Sequence, residues 1–399
     1  MGQKNKIALL SLIILVGFFV AVIFHYIAGT YFKHDDWNSF LERPPHAVAF
    51  EDLFIVEYVA RTLNPYNNSV SYFPFSYIVT YPFGWYGRFM SAAIFSFIFI
   101  AGLFRLNHHF IGQHQENFFK QIQTTFIFTF LTYPALYSFE RGNLENLITI
   151  MTAVFLLYYL DKKYILGAVI LGLAAAMKGY VGIFVFLFIL DKRWKETLIT
   201  CVTTALATII SLLIFQDKLT VQFANIVRHF TDLKNMIIGW VVVLPNDSSL
   251  FGFFNSHLSV ENHDSLLIYY SAGAALFLLL SIGILFFCQE KVLWKKVAVL
   301  TSCSLLLPQM SFDYHMVRIY FPLWLFINYN YNSKNTVKMD YFYTIIFAIL
   351  LIPKKYCSIF GDPTSHVLSS AALLALLLAV LTESIKNKLK KQNQQTISV

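Results

Sequence analysis

Two neighbouring carboxylates, Asp35 and Asp36, follow the first long apolar run in the stretch Lys33-His34-Asp35-Asp36-Trp37. Such a pair can act as general base toward a hydroxyl nucleophile or help hold a hard metal, because both tasks need negative oxygens beside a substrate. It can equally cap a helix by accepting hydrogen bonds from unpaired backbone N–H groups. Further along, Phe139-Glu140-Arg141-Gly142-Asn143-Leu144-Glu145-Asn146 sets a charge pair next to a glycine, either a short loop or a place to hold an anion. Lys178 lies inside an apolar run, in Ala174-Ala175-Ala176-Met177-Lys178-Gly179-Tyr180, with no carboxylate close in sequence. An ammonium near the bilayer centre costs about 2.5–3.5 kcal/mol, so this lysine faces a polar cavity or an anion, or snorkels to the interface. Two more polar clusters are Asn246-Asp247-Ser248-Ser249 and Ser311-Phe312-Asp313-Tyr314-His315-Met316-Val317-Arg318, and Tyr66 sits in the turn Asn64-Pro65-Tyr66-Asn67-Asn68. His108, His109 and His114 read as ordinary loop residues.

The elements that must carry these residues are membrane helices. The 399 residues are 57% apolar and 13% charged, against about 25% charged in a soluble domain. The apolar blocks recur to the C-terminus and leave no soluble domain's worth of polar sequence. That excludes a secreted enzyme, a cytosolic enzyme with one anchor, and a nucleic-acid-binding module; no nucleic-acid partner is expected. The net charge of +8 resides mostly in short loops beside apolar segments, which is a topology signal rather than a binding patch. Four cysteines without a Cys-x-x-Cys spacing encode no disulfide framework or zinc site.

The first run, Ile7 to Phe32, follows Lys4 and Lys6, is too long for a signal-peptide core and lacks a cleavage site, so it is expected to be an uncleaved helix with its N-terminus inside. Further spans are expected near 88–105, 120–139, 144–160, 197–215, 267–288, 297–311, 319–330, 339–353 and 366–385. The run Tyr164–Leu190 is bounded by Lys162/Lys163 and by Lys192/Arg193/Lys195. Both clusters favour the cytoplasm, so this run goes in and returns as two short helices that bend at Lys178. The fold class is thus an all-α polytopic membrane protein with about twelve transmembrane or re-entrant helices. It forms one membrane domain over 1–385 and a basic cytoplasmic tail over 386–399, disordered from Lys390. Eighteen of the thirty Lys and Arg then fall inside, and the long loops 33–87 and 216–266 fall outside. In the first of these, Glu51–Arg61 has the periodicity of an amphipathic surface helix, and Pro74 and Pro82 prevent a continuous helix after it.

The order of these pieces resembles the GT-C superfamily of membrane glycosyltransferases, specifically glycosyltransferase family 87, the polyprenyl-phosphate-mannose-dependent type. The resemblance rests on Asp35-Asp36-Trp37 after helix one, Asn64-Pro65-Tyr66 with Tyr72-Phe73-Pro74-Phe75, and Arg141-Gly142-Asn143. It rests most on Leu166 to Tyr180, where the family reads close to G-L-A-A-A-x-K-x-Y, and on Asn246-Asp247-Ser248-Ser249-Leu250-Phe251-Gly252, similar to its N-x-S-L-x-G loop with one extra serine. It covers roughly residues 30–320. The chain departs from the family in having Gly179 where Pro usually follows the lysine, which loosens the bend. A second departure is that both Asp36 and Asp52 precede helical patterns, so either could take the family's catalytic aspartate role.

The resemblance implies a GT-C-like fold and an inverting transfer of mannose or another hexose or pentose from a polyprenyl-phosphate donor to an acceptor hydroxyl on a glycolipid or glycan. The work would take place at the outer face of the bacterial cytoplasmic membrane. It assigns the base to Asp36, with Asp35 beside it, and the leaving phosphate to Arg141 and Lys178, with His315 and Arg318 behind them. Tyr66, Asn246 and Ser248 are the candidates for the sugar. No cofactor is expected, the polyprenyl-phosphate sugar being a co-substrate, and a divalent metal is not expected to be essential. Partners would be that donor, the glycolipid or glycan acceptor and membrane lipids. The rival readings are a lipid-linked sugar flippase or transporter, with Lys178 and Asp313 lining a path, and a polysaccharide polymerase.

Overall fold

A computed structural model describes residues 2–31, 49–67, 72–239, 247–257, 263–329, 337–354 and 364–397. Among them there is no β-strand and there are seventeen α-helices. In chain order these are α1 (Gln3–Tyr31), α2 (Glu51–Arg61), α3 (Pro74–Thr80), α4 (Arg88–Phe110), α5 (Phe118–Phe130), α6 (Tyr133–Arg141), α7 (Glu145–Leu160), α8 (Tyr164–Met177) and α9 (Val185–Leu190). They continue with α10 (Trp194–Ile214), α11 (Leu219–Gly239), α12 (Leu250–His257), α13 (His263–Phe287), α14 (Leu293–Leu306), α15 (Tyr320–Asn328), α16 (Val337–Leu351) and α17 (Thr364–Ile397). The protein is an all-α polytopic membrane protein.

Among the described residues, each apolar segment expected to span contains helix, the one at 297–311 only as far as Leu306. Five stretches of the described residues are long and apolar enough to cross a bilayer: Gln3–Ile27, Arg88–His114, Trp194–Ile214, Ser265–Phe287 and Val367–Gln394. The others are short or broken. The 14 residues of α8 rise only about 21 Å, less than the roughly 30 Å of a hydrocarbon core. The expected span 120–139 divides into α5 and α6 at Leu131-Thr132, because Pro134 has no N–H and fits only in a helix's first turn. Likewise Pro74 opens α3, and Pro82 lies in the 3-10 turn Tyr81–Trp85. Against expectation, the basic tail is helical as far as Ile397. Its Lys, Leu and Gln are helix formers, and no Gly or Pro interrupts them.

The chain separates into two compact units. One comprises Met1–Arg43, Asn107–Ala135 and Val242–Val399; the other comprises Pro44–Leu106 and Leu136–Val241. In the second unit α8 packs between α7 and α10. Gly172 makes this approach possible, since a β-carbon there would lie 2.8 Å from the Thr200 carbonyl oxygen and 2.7 Å from Thr203 Cβ. Thr204 donates across the contact to the Gly172 carbonyl at 3.0 Å, the small-residue packing expected between membrane helices. The amphipathic α2 forms over the expected residues and buries Leu53, Val56, Glu57, Val59 and Ala60.

In the first unit, buried ion pairs tie the helices together. Lys6 of α1 and Asp340 of α16 lie 3.4 Å apart with both side chains fully buried. The same ammonium donates to the carbonyls of Phe326 and Tyr329 at the end of α15. Lys295 of α14 and Glu383 of α17 pair at 2.9 Å, and the Tyr343 hydroxyl donates to Glu383 at 2.8 Å. Basic residues that read in sequence only as topology signals are thus also internal partners.

Candidate functional site

The second unit assembles a charged cluster from three sequence-distant pieces. Where α6 ends, Gly142 adopts a left-handed conformation (φ 59°). A β-carbon there would lie 2.6 Å from the Phe50 ring, so only glycine lets the turn close onto the residue that opens α2. The Phe50 N–H donates to the Glu140 carbonyl at 2.9 Å and fixes that junction. Asp52, in the first turn of α2, is thereby set against Arg141, whose Nη2 lies 2.5 Å from Asp52 Oδ1.

Asn143 joins this pair to Lys178. Its Nδ2 donates to Asp52 Oδ2 at 2.6 Å and to the Tyr72 hydroxyl at 3.2 Å. Its Oδ1 accepts from Lys178 Nζ at 2.7 Å and from the Glu145 N–H at 3.0 Å, the last bond capping the start of α7. Lys178 reaches it because α8 stops at Met177 and residue 178 is extended (φ −144°, ψ 115°) before the 3-10 turn Gly179–Phe184. The Met177 carbonyl freed by the break accepts from Ser76 Oγ at 2.6 Å. The ring of Phe73 occupies the space a side chain on residue 179 would need.

The sequence offered Lys178 no local carboxylate, and the fold supplies one from α7. Glu145 Oε2 lies 3.5 Å from Lys178 Nζ, with the glutamate side chain fully buried and the lysine side chain 12% exposed. Tyr180 donates its hydroxyl to the same carboxylate. The rings of Tyr72 and Tyr180 lie 5.4 and 6.0 Å from the ammonium. Two cations and two carboxylates therefore balance in one network, which offsets the cost of placing charge in a water-poor site. The Arg141 and Asp52 side chains keep 23% and 14% exposure, so the cation edge of the network meets the surroundings at Arg141 and Lys178.

Tyr66 belongs to the same unit but is an internal residue, 4% exposed. Its hydroxyl donates to the Tyr72 carbonyl at 3.1 Å, its carbonyl accepts from or faces His229 Nε2 at 2.8 Å, and its ring packs against Tyr77 and Phe215. Burial raises its phenol far above the usual range, with Tyr77 adding to the shift. It holds the chain after α2 in place. His229 lies on α11, a long amphipathic helix within the loop 216–266 that the sequence reading left without an element.

The first unit carries a second polar knot. Asp247 and Phe312 form an isolated antiparallel bridge, and Asp247 Oδ1 accepts from the N–H groups of Ser249 and Ser311 at 2.9 and 2.8 Å. Ser248, fully buried, donates to Asp313 Oδ1 at 2.5 Å, and Tyr133 donates to Asp313 Oδ2 at 3.0 Å. Burial pushes the Asp313 carboxyl up to about 6 against the opposing hydrogen bond from Ser248 and the Lys354 charge. Burial brings Lys354 down to about 8, and Asp313 opposes that shift. Asp247 is also raised by burial. Arg318 is 2% exposed and donates to the Ser304 carbonyl near the end of α14 at 3.2 Å. His315 is half-buried, with its ring 4.4 Å from that of Tyr314.

Of the expected site residues, Arg141 and Lys178 come together, joined by Asp52, Asn143 and Glu145. Ser248, His315 and Arg318 belong to the other unit. Asp35, Asp36 and Asn246 lie outside the described residues. Asn143 and Glu145 belong to the stretch Phe139–Asn146, and their polar side chains just before an apolar helix are the sequence signal for a place in the cluster.

The model of glycosyltransferase family 87 matches residues 71–310, more than half of the chain. Arg141, Asn143, Glu145, Lys178 and Ser248 fall inside the matched stretch, Asp52 precedes it, and His315 and Arg318 follow it. No curated protein matches the chain. The extent of the family match, on an all-helical membrane fold with a cation cluster at a broken helix, places this chain in glycosyltransferase family 87.

Proposed function

We propose that this glycosyltransferase moves a sugar from a polyprenyl-phosphate donor to an acceptor hydroxyl on a glycolipid or glycan, with inversion, at the extracytoplasmic face of the membrane. The observation that carries the reading is the linking of Arg141 and Lys178 through Asp52 and Asn143 at the break after α8. The bond that breaks joins the anomeric carbon to a phosphate oxygen, and the leaving group gains negative charge as it departs. Preorganised cations stabilise that charge most where water is scarce. Asp52 and Glu145 hold the two cations in position without burying them completely.

The acceptor hydroxyl attacks the anomeric carbon as its proton passes to a carboxylate. Asp36, with Asp35 beside it, is the assigned base. Asp52 is the alternative, but both oxygens of its carboxylate are already engaged, one by the Arg141 guanidinium and the other by the Asn143 amide. Tyr66 contributes by fixing the segment before Tyr72. No divalent metal is required. A transporter reading of Lys178 and Asp313 gives way to the family's transfer chemistry. The test is transfer from a labelled polyprenyl-phosphate hexose by purified Arg141→Gln and Lys178→Gln variants. A fall in kcat of about a hundredfold or more with intact folding is expected of both, and wild-type turnover in both would overturn the assignment.

A further inference from the structure

The first unit contains an apolar groove, on the order of 400 Å³, between α13 and α17. Its walls include Leu280, Phe287, Cys288 and Leu389, and its polar lining residues are Lys388 and Gln392 toward the C-terminal part of α17. Gly283 forms part of the lining, and a β-carbon added there would meet no atom within 4 Å. Leu280, Phe287 and Leu389 are 55%, 71% and 54% exposed, and α13 is one of the helices apolar enough to cross a bilayer. The groove therefore lies along the outer wall of a span. From Leu279 to Phe287 it runs on the order of 12 Å along the helix.

We infer that this groove is a binding site for one anionic phospholipid, with an acyl chain lying along Gly283 and the headgroup phosphate at Lys388. The choice of occupant follows from the charge at the groove's end. The α13 apolar wall stops at Phe287, where that span also ends, and the Lys388 ammonium stands 6.0 Å from that ring. Lys386 and Lys390 stand on the same stretch of α17. The nearby Glu290 is occupied, accepting from Ser384 Oγ at 2.6 Å and from the Val292 N–H at 2.9 Å. An anionic headgroup thus meets a cation whose neighbouring acid is already satisfied, and a single chain finds a furrow where the helix lacks a side chain.

Native mass spectrometry of the detergent-solubilised full chain, titrated with phosphatidylglycerol and in parallel with phosphatidylcholine, tests the site. The wild type is expected to retain one phosphatidylglycerol at least fivefold more than phosphatidylcholine. Gly283→Leu, whose β-carbon would meet no atom within 4 Å, is expected to cut that occupancy at least fivefold, and Lys388→Gln to erase the headgroup preference. Alkylation of the Cys288 peptide is expected to slow with phosphatidylglycerol and not with phosphatidylcholine, a readout that needs no variant. Equal retention of the two lipids by the wild type, or unchanged occupancy in Gly283→Leu, would overturn the inference. So would a shift from dimer to monomer in Gly283→Leu without loss of lipid, which would assign the groove to a second copy of the chain.

Discussion

Asn143→Ala removes a residue that touches both halves of the cation cluster. Asn143 is 1% exposed, and its amide makes four hydrogen bonds, to Asp52, Tyr72, Lys178 and the Glu145 N–H. Two of these involve ionised side chains, worth about 1.5–3 kcal/mol each. Asp52 keeps Arg141 and Lys178 keeps Glu145 after the change, so the loss falls at the low end, about 3 kcal/mol in total. At about 2 °C per kcal/mol the melting midpoint drops by roughly 6 °C, readable by intrinsic fluorescence of the purified protein in detergent. Asn143→Asp separates this account from simple loss of packing. It restores an acceptor for Lys178 and the Glu145 N–H, but places an oxygen where the donor now stands, 2.6 Å from Asp52 Oδ2. Repulsion raises the pKa of that carboxylate pair, so the stability it contributes is present at low pH and lost as pH rises. The Asp variant should melt below the Ala variant at neutral pH and recover on acidification. An Ala variant within about 1 °C of wild type, or an Asp variant that stays as stable as wild type above neutrality, would refute the reasoning.

Asp36→Asn should lower kcat by about 10²–10⁴-fold with donor binding retained, whereas Asp52→Asn, which frees Arg141, should chiefly raise KM for the donor. The reverse pattern would move the base to Asp52. A cysteine introduced at the exposed Asn67 or Lys218 should react with an impermeant thiol reagent in intact cells, and one at Gln113 should not; reaction at Gln113 would invert the topology. For Asp313, with its carboxyl at about 6 and an unfolded value near 3.9, the folded state binds the proton more tightly. Its stabilising contribution is therefore present below about pH 4 and is lost as pH rises toward 6. Asp313→Asn should flatten that part of the pH–melting curve, and an unchanged slope would show that Asp313 is not the group responsible.

The helical segments were legible because a bilayer imposes length and apolarity on each one separately. The break at Lys178 was legible too, since basic clusters on both sides of Tyr164–Leu190 demanded a return. What stayed hidden depends on contacts between distant segments. Arg141 and Asp52 are 89 positions apart, and nothing local to Lys178 announces Glu145. Tyr66 and Arg318 carry polar groups that suggest ligand contacts, yet both are buried with partners inside the protein. Ser248 reads as a loop hydroxyl and is instead the donor that clamps Asp313. In α11, charged and polar residues mask a helical periodicity that only the structure makes plain.

Transfer by the purified wild-type protein, offered the same sugar either on polyprenyl phosphate or on a nucleotide, tests the central claim most directly. The chain has no glycine-rich phosphate loop in its sequence, and the proposed leaving-group cations sit at a helix break within the membrane unit. Product from the polyprenyl-phosphate sugar, none from the nucleotide sugar, and activity that survives chelation of divalent metal is the predicted result. Turnover with the nucleotide sugar alone would contradict it.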